Sequence, residues 1–281
     1  MKNLKYLVPN AMTSLSLLFA MLSVMYSLKG DVILASWFGL YCVLTDKLDG
    51  FAARALRATS PFGVQLDSFA DFASFGVAPA VLVNAYLTTH PAYGLSEGTG
   101  LFCLRAVSGV YVIAVAARLA WFNVVTTPDS RIFFGVPTTV VGGTLMSLFV
   151  ALLKYGDPGV TGVGPFADPR LFGGLTVSLV PMKLFPLYML FGAYLMHSPL
   201  KVPKLGLTKN TFLNVAIVAN ILGVYGFGAM RWLPEYLAIV GSFYVTMSFV
   251  FGFVSDAARN AVRPSLLAGI GNEPAPHEDD L

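Results

Sequence analysis

The feature that most limits how this chain can fold is a series of long apolar runs joined by short polar connections. A helix needs about 20 apolar residues to cross a bilayer, because lipid offers no hydrogen-bond partner to an unpaired backbone group. Of the 281 residues, 56% are hydrophobic and 12% are charged, against about one quarter charged in soluble chains. The sequence therefore predicts an all-α, polytopic membrane helix bundle with about eight transmembrane helices. The eight runs lie at about 11–28, 32–57, 61–87, 101–125, 136–154, 175–197, 211–230 and 234–255.

The two ends of the chain are expected to differ from the bundle. Lys2 and Lys5 alternate with apolar residues ahead of Pro9, which fits either a short helix in the membrane interface or a frayed terminus. The last residues are polar and end in Glu-Asp-Asp-Leu. We therefore predict a transmembrane domain over 1–257, with an N-terminal interfacial segment, and a polar, disordered tail over 258–281.

The distribution of basic residues predicts the orientation of the bundle. With a cytoplasmic N-terminus, eleven Lys and Arg residues fall on the cytoplasmic side and five on the other, and such an excess marks cytoplasmic connections. Both termini are then cytoplasmic, and we expect a cytoplasmic membrane of bacterial or archaeal type. The cytoplasmic group is Lys2, Lys5, Arg54, Arg57, Arg118, Arg131, Lys201, Lys204, Lys209, Arg259 and Arg263; the other group is Lys29, Arg105, Lys154, Arg170 and Arg231.

Four aspartates in the second and third runs carry the strongest functional signal. An ionised carboxylate within a span costs several kcal/mol, so it indicates a functional site. Their spacings of three and four residues place each pair on one helical face. Ser60 and Pro61 fit the N-cap and first position of the third helix, so the turn is tight and the two helices pack antiparallel. The four carboxylates are therefore expected to converge. They are Asp46, Asp49, Asp67 and Asp71.

Converging carboxylates need a source of positive charge. Four negative charges a few ångströms apart repel so strongly that several stay protonated unless divalent cations neutralise them. An all-oxygen ligand set without His or Cys suits Mg²⁺, Mn²⁺ or Ca²⁺ better than Zn²⁺. Two such ions can clamp a phosphoryl group between its attacking and leaving oxygens. The residues themselves predict a two-metal site.

Small residues and one arginine share the aspartate face. Gly50, Ala53 and Gly63 would let a bulky planar ligand approach the helix backbone, or they serve close helix packing, as small residues commonly do in membranes. Arg54 could pair with an aspartate or hold a diphosphate through bidentate hydrogen bonds. One arginine cannot balance four aspartates, so the cations remain necessary.

These residues together resemble a family signature. The segment is similar to the signature of CDP-alcohol phosphatidyltransferases at all eight defining positions. It reads Asp46-Lys-Leu-Asp49-Gly50-Phe-Ala-Ala53-Arg54, then after eight residues Gly63-Val-Gln-Leu-Asp67-Ser-Phe-Ala-Asp71.

Residues around the signature resemble one branch of that family, the CDP-diacylglycerol–serine O-phosphatidyltransferases. Two positions depart from the branch: Trp121 stands where a second arginine is usual, and Thr138-Thr139 stand where Ser-Pro is usual. These departures concern the choice of acceptor alcohol rather than the reaction. The similar stretches are 58–79, 118–123, 135–137 and 195–201.

The resemblance implies a six-helix core with two further helices and a binuclear metal site. Asp46, Asp49 and Asp67 would be the main ligands, and Asp71, also near a metal, would be the general base. The donor would be CDP-diacylglycerol. The resemblance favours L-serine as the acceptor, and the products would then be phosphatidylserine and CMP. The resemblance also implies that the protein forms a homodimer and contacts membrane lipids, and that it binds no nucleic acid. The implied nucleotide- and diphosphate-binding residues are Asp46, Gly50, Ala53, Arg54, Thr59 and Gly63.

Two basic residues are candidates for binding the acceptor. Arg118, at the cytoplasmic end of the fourth span, could bind the serine carboxylate or could snorkel as a positive-inside residue. Lys183 is predicted to lie inside the sixth span beside Pro181 and Pro186, and could instead pair with an aspartate or a lipid phosphate. Within the family, inositol, inositol phosphate, glycerol phosphate or choline could replace serine.

Two other classes of protein also place aspartates in membrane helices. Prenyltransferases of the UbiA type carry two acidic motifs on widely separated helices, whereas both pairs here lie in one hairpin. Cation transporters use carboxylates along an ion pathway. A transporter would need neither Arg54 nor a gap of nucleotide size, and CMP release from CDP-diacylglycerol distinguishes the two functions.

Overall fold

The computed structural model describes residues 4–125, 132–156, 160, 163–164, 169–203 and 210–254. About 80% of the residues that the structure describes are helical, and the predicted all-α, polytopic membrane fold is confirmed. The predicted tail over 258–281 lies outside the described residues. So do Lys2, Arg131, Lys204, Lys209, Arg259 and Arg263.

Each of the eight apolar runs contains helix. The first four runs form α1 Leu7–Leu28, α2 Val32–Ala55, α3 Pro61–Asp71, which continues through a π-helical segment Phe72–Val77 into α4 Ala78–Thr89, and α5 Gly98–Val124. The last four form α6 Thr138–Gly156, α7 Val180–Lys183, α8 Phe185–His197, α9 Thr211–Met230 and α10 Pro234–Val254. Two short strands, β1 Ile132–Phe134 and β2 Lys201–Pro203, and two 3-10 turns, Leu4–Tyr6 and Pro91–Tyr93, complete the described elements.

Among the residues that the structure describes, five helices are long and apolar enough to cross a membrane. They are Leu7–Leu28, Pro61–Thr89, Gly98–Val124, Thr138–Gly156 and Pro234–Val254. The helix of the sixth run does not extend over 175–197 as predicted, because it begins at Val180 and is interrupted at Leu184. Pro186 has no N–H to donate to the carbonyl of Met182, so α7 cannot continue into α8.

Small residues let α1 pack closely against the aspartate hairpin. Five of them recur every three or four residues on one face of α1, and all five are buried against α2, α3 and α4. Within lipid, helices associate mainly through such close van der Waals packing. This face consists of Thr13, Ser16, Ala20, Ser23 and Ser27.

The π segment Phe72–Val77 forms just before a proline within a continuous helix. Pro79 has no N–H for the carbonyl of Phe75, four residues earlier, and its ring would clash with that carbonyl. The hydroxyl of Tyr111 on α5 donates to the Phe75 carbonyl oxygen over 2.6 Å. A neighbouring helix thus supplies the donor that proline removes, which lipid could not do.

A short antiparallel ribbon closes one end of the bundle. Ile132 pairs with Pro203 and Phe134 with Lys201, and the hydroxyl of Tyr244 on α10 donates to the Pro203 carbonyl over 2.8 Å. The ribbon ends at Gly135, whose φ of 72° favours glycine, and a side chain there would overlap the Met196 carbonyl. The ribbon therefore ties α5, α6 and α8 to α10.

Candidate active site

The hairpin of α2 and α3 brings three aspartates together. One carboxylate oxygen from each of Asp46, Asp49 and Asp67 lies within 4.8 Å of the other two. Asp49 is buried, and the other two are half-buried. Asp71, one turn further along α3, is not part of this group, so the structure divides the four aspartates into three and one. The assignment of Asp71 as a fourth metal ligand stays a prediction.

A capped turn between α2 and α3 sets this arrangement. The hydroxyl oxygen of Ser60 accepts a hydrogen bond from the Gly63 N–H over 3.0 Å, and Pro61 occupies the first turn of α3, as the sequence predicts. The Ala58 N–H donates to the Ala53 carbonyl over 2.8 Å, which closes the end of α2. Because the turn is short, the acidic faces of the two helices meet near their shared end.

Two residues of α1 complete the site, and sequence reasoning missed both. Thr13 Oγ1 lies 2.7 Å from Asp49 Oδ2 and 3.1 Å from the Pro9 carbonyl oxygen. The hydroxyl has one hydrogen, and an ionised carboxylate is the stronger acceptor. Asn10 faces the start of α3, since a Cβ on Gly63 would lie 3.1 Å from Asn10 Oδ1. The available signal was their three-residue spacing, which places both side chains on one face near the start of α1.

The site has little positive charge of its own. Lys47 Nζ lies 3.3 Å from Asp46 Oδ2, but 56% of the lysine side chain is exposed, so the pair contributes little. Apart from this ion-pair contact, Asp46 Oδ2 is buried and accepts no hydrogen bond from any residue that the structure describes. An all-carboxylate donor set with such an oxygen fits a hard divalent cation.

The residues expected to bind the nucleotide surround the same end of the hairpin. Gly50 and Ala53 are half-buried, whereas Arg54 and Thr59 are exposed. The guanidinium of Arg54 lies alongside Gly50, where an added Cβ would be 3.4 Å from Arg54 Nη1. The backbone at Gly63, in contrast, is already covered by Asn10 and Ser60. A planar ligand at Gly50 would therefore contact Arg54, and one at Gly63 would contact Asn10 and Ser60.

The two acceptor candidates lie in different places. Arg118 is 4% exposed and donates through Nη2 to the Gly135 carbonyl over 3.2 Å, with its guanidinium 5.5 Å from the Trp121 ring centroid. It does not snorkel, and its role in acceptor binding stays a prediction. Lys183 is exposed at the end of α7, and both its location within a span and its role in acceptor binding stay predictions. The length of α8, about 1.5 Å per residue, separates Lys183 from the ribbon end of the bundle, where the aspartates lie.

A second cluster of buried charge lies at the opposite end of the bundle from the aspartates. Lys154 on α6 and Glu235 on α10 are 2% and 3% exposed and form an ion pair with a 3.0 Å Nζ–Oε1 distance. The Tyr155 hydroxyl and the Leu171 N–H each donate to Glu235 Oε1 over 2.9 Å, and Lys154 Nζ donates to the Pro169 carbonyl over 2.9 Å. Lys154 is thus buried and paired, whereas the orientation count treats it as a residue flanking a span.

The fold and the aspartate hairpin define a polytopic membrane protein with an acidic site whose carboxylates could hold a metal ion. Residues 6–244 match the family model for CDP-alcohol phosphatidyltransferase. The chain belongs to this family.

Several curated proteins are similar to parts of the chain. It is 38% identical over 134 residues to a CDP-diacylglycerol–serine O-phosphatidyltransferase of Helicobacter pylori, which covers 47% of this chain and 52% of that protein. A Bacillus subtilis protein of the same name is 35% identical over 134 residues, or 47% and 67% of the two chains. An archaetidylserine synthase of Methanothermobacter thermautotrophicus is 30% identical over 145 residues, or 51% and 58%. The aligned region spans about half the length of the Helicobacter relative.

Proposed function

We propose that this protein transfers a phosphatidyl group from CDP-diacylglycerol to the hydroxyl of L-serine, which gives phosphatidylserine and CMP. The observation that carries the proposal is the group of three carboxylates within 4.8 Å, next to Arg54 and Gly50 at the end of the α2–α3 hairpin. Membership of the CDP-alcohol phosphatidyltransferase family supports the reaction type. The names of the relatives support serine as the acceptor.

The donor is held by the end of the hairpin. Asp46, Asp49 and Asp67 would hold Mg²⁺ or Mn²⁺, and the bound ions would offset negative charge on the diphosphate and on the leaving phosphate. Arg54 binds the diphosphate oxygens through its planar fork of N–H donors. Gly50 and the small neighbouring Ala53 leave room for the cytidine against the backbone of α2.

The chemistry is a displacement at the phosphorus that bears the diacylglycerol. Asp71 takes the proton of the serine hydroxyl as that oxygen attacks the phosphorus in line. The bond from this phosphorus to the bridging oxygen of the diphosphate breaks, and CMP departs with the bridging oxygen. The position of Asp71 outside the three-carboxylate group supports its use as the base, because its carboxylate is then left for proton transfer.

We further propose that the site opens towards the cytoplasm, with both termini on that side and the chain in a bacterial or archaeal cytoplasmic membrane. The excess of basic residues on that side supports the orientation. Water-soluble CMP and serine then exchange from the cytoplasm, while the lipid tails stay in the bilayer. A homodimer is proposed from the family resemblance alone.

The reaction is tested with the purified full chain in detergent. The protein is incubated with CDP-diacylglycerol, Mn²⁺ and separate alcohols: serine, inositol, inositol phosphate, glycerol phosphate and choline. We expect CMP release that depends on serine, and phosphatidylserine among the separated lipids. Release with a different alcohol would reassign the acceptor, and no release with any of them would overturn the proposal and favour cation transport.

A further inference from the structure

We propose that Tyr111 is a positioning residue for Asp71 and that it acts through the π segment Phe72–Val77. The inference rests on the proposed function, because it concerns the residue assigned there as the general base. Tyr111 lies on a different helix, and its hydroxyl donates to a backbone carbonyl rather than to the carboxylate.

The first step of the argument is the carbonyl that Tyr111 contacts. In a regular α-helix the Phe75 carbonyl would accept from the N–H of residue 79, but residue 79 is proline. Tyr111 is fully buried, and its hydroxyl lies 2.6 Å from this carbonyl oxygen. A buried hydroxyl and a buried carbonyl each cost free energy when they have no partner, so the bond satisfies both groups.

The second step is where the π segment begins. In an α-helix residues four apart lie on one face, whereas a π turn bonds residues five apart, so four residues fall short of a full turn. Asp67 and Asp71 are four apart, and the π segment begins at the next residue, Phe72. The side chains of Asp67 and Asp71 therefore share a helical face only if the π segment begins after Asp71. The Tyr111 hydroxyl binds the Phe75 carbonyl, which lies inside this segment and lacks a helical donor because residue 79 is proline.

The packing around the π segment explains why this hydrogen bond matters for position. A Cβ on Gly142 of α6 would lie 2.8 Å from Phe75 Cβ, and a Cβ on Gly76 would lie 3.1 Å from Val115 Cγ1 of α5. Two helices therefore touch the segment closely. Apolar contacts of this kind have no direction, whereas a hydrogen bond requires one donor to face one acceptor. Ser16 Oγ lies 3.5 Å from Ser74 Oγ, a side-chain contact, whereas the Tyr111 hydroxyl holds the backbone of the segment itself.

Two variants and one matched control test the proposal in the full chain. Tyr111→Phe removes the hydroxyl and keeps the ring, and Pro79→Ala restores an N–H that competes for the Phe75 carbonyl. Tyr93→Phe is the control. Tyr93 is also buried, and its hydroxyl lies 3.2 Å from that of Tyr86, which is near the end of α4 and away from the π segment. The measurements are kcat, the KM for CDP-diacylglycerol, and hydrogen exchange of the peptide that covers the π segment.

We expect both test variants to lower kcat by about tenfold or more, as small misplacements of a catalytic group do, with the KM for CDP-diacylglycerol unchanged. Exchange in the π segment should accelerate in Tyr111→Phe, and the control should match the unaltered chain in every measurement. Wild-type kcat in Tyr111→Phe, or a parallel loss of donor binding and turnover, would overturn the inference.

The exchange measurement separates this inference from the proposed function. If the unaltered chain releases no CMP with any alcohol, the proposed function fails on that result alone. Exchange then tests the structural step alone: unchanged exchange in Tyr111→Phe shows that Tyr111 does not fix the π segment, and faster exchange confined to that segment shows that it does.

Discussion

The two ends of the bundle treat buried charge in opposite ways. At one end Lys154 and Glu235 neutralise each other, and Tyr155 and Leu171 supply further hydrogen bonds to the carboxylate. At the other end three carboxylates gather within 4.8 Å, and the nearest cation, Lys47, is largely exposed. The first cluster is complete within the chain. The second lacks a buried counter-charge among the residues that the structure describes, and it would be neutralised by bound protons or by divalent cations.

This difference distinguishes a structural ion pair from a binding site. Removing one partner of a complete pair leaves an uncompensated buried charge, so the cost falls on stability. Removing one member of a like-charge group relieves repulsion, so the cost falls on what the group binds. The four predictions that follow test this contrast, from the largest expected effect to the smallest.

Asp71→Asn should lower turnover by about 10²- to 10⁴-fold, the range typical of a lost general base. Asparagine keeps the shape of the side chain but cannot accept the hydroxyl proton, so CDP-diacylglycerol binding should be preserved. The measurement is CMP release alongside donor binding in detergent. Retained turnover would remove Asp71 from the base role.

Glu235→Gln should destabilise the fold by about 3–5 kcal/mol, because it leaves the Lys154 ammonium buried without a counter-charge. Unfolding in mixed micelles measures the loss, and turnover per folded molecule should not change. The double variant Lys154→Met with Glu235→Gln removes the ammonium and keeps a carbonyl acceptor for Tyr155 and Leu171, so most of the stability should return. A loss in the single variant no larger than that of an exposed pair would contradict this account.

Divalent cations should stabilise the unaltered chain and not the variant Asp67→Asn. At a Mn²⁺ concentration of about one hundred times Kd the expected gain is about 2.7 kcal/mol, and a chelator should reverse it. Without metal, Asp67→Asn should be at least as stable as the unaltered chain, because one of the clustered charges is gone. A large loss of stability in the metal-free variant would mean that Asp67 is paired internally. The aspartate group would then be a structural cluster like the Lys154–Glu235 ion pair.

Thr13→Val should weaken Mn²⁺ binding by about tenfold, as changes to residues that orient metal ligands often do. Valine keeps the shape of threonine but cannot donate to Asp49 Oδ2. Thr45→Val is the matched control, because the Thr45 hydroxyl is also buried but donates to carbonyls of its own helix. Equal effects of the two variants on the metal titration would show that Thr13 does not orient the carboxylate.

The aspartate hairpin could be predicted because everything that determines it is local. Both pairs follow the helical repeat, and the Ser60 cap and Pro61 lie between them in a short turn. The ion pair could not be predicted, since Lys154 and Glu235 are 81 residues apart and each resembles an ordinary residue at the end of a span.

The π segment could be predicted in part from the sequence. Pro79 shows in the sequence that the Phe75 carbonyl lacks its helical donor. The replacement donor, Tyr111, is 36 residues away from Phe75 on another helix, and only the packing of α5 brings it there. The start of the sixth predicted helix was wrong for a related reason, because average hydropathy extends across 175–179 although the helix begins at Val180.

The two acceptors of the Thr13 hydroxyl have a consequence for how the chain is made. During synthesis α1 leaves the ribosome before α2, and its hydroxyl can then donate to the Pro9 carbonyl of its own helix. When α2 arrives, the same hydrogen can turn to Asp49 without leaving another donor exposed. The first helix can therefore enter the membrane with its Thr13 hydroxyl already hydrogen-bonded. Asp49, which accepts from that hydroxyl in the folded protein, is synthesised later.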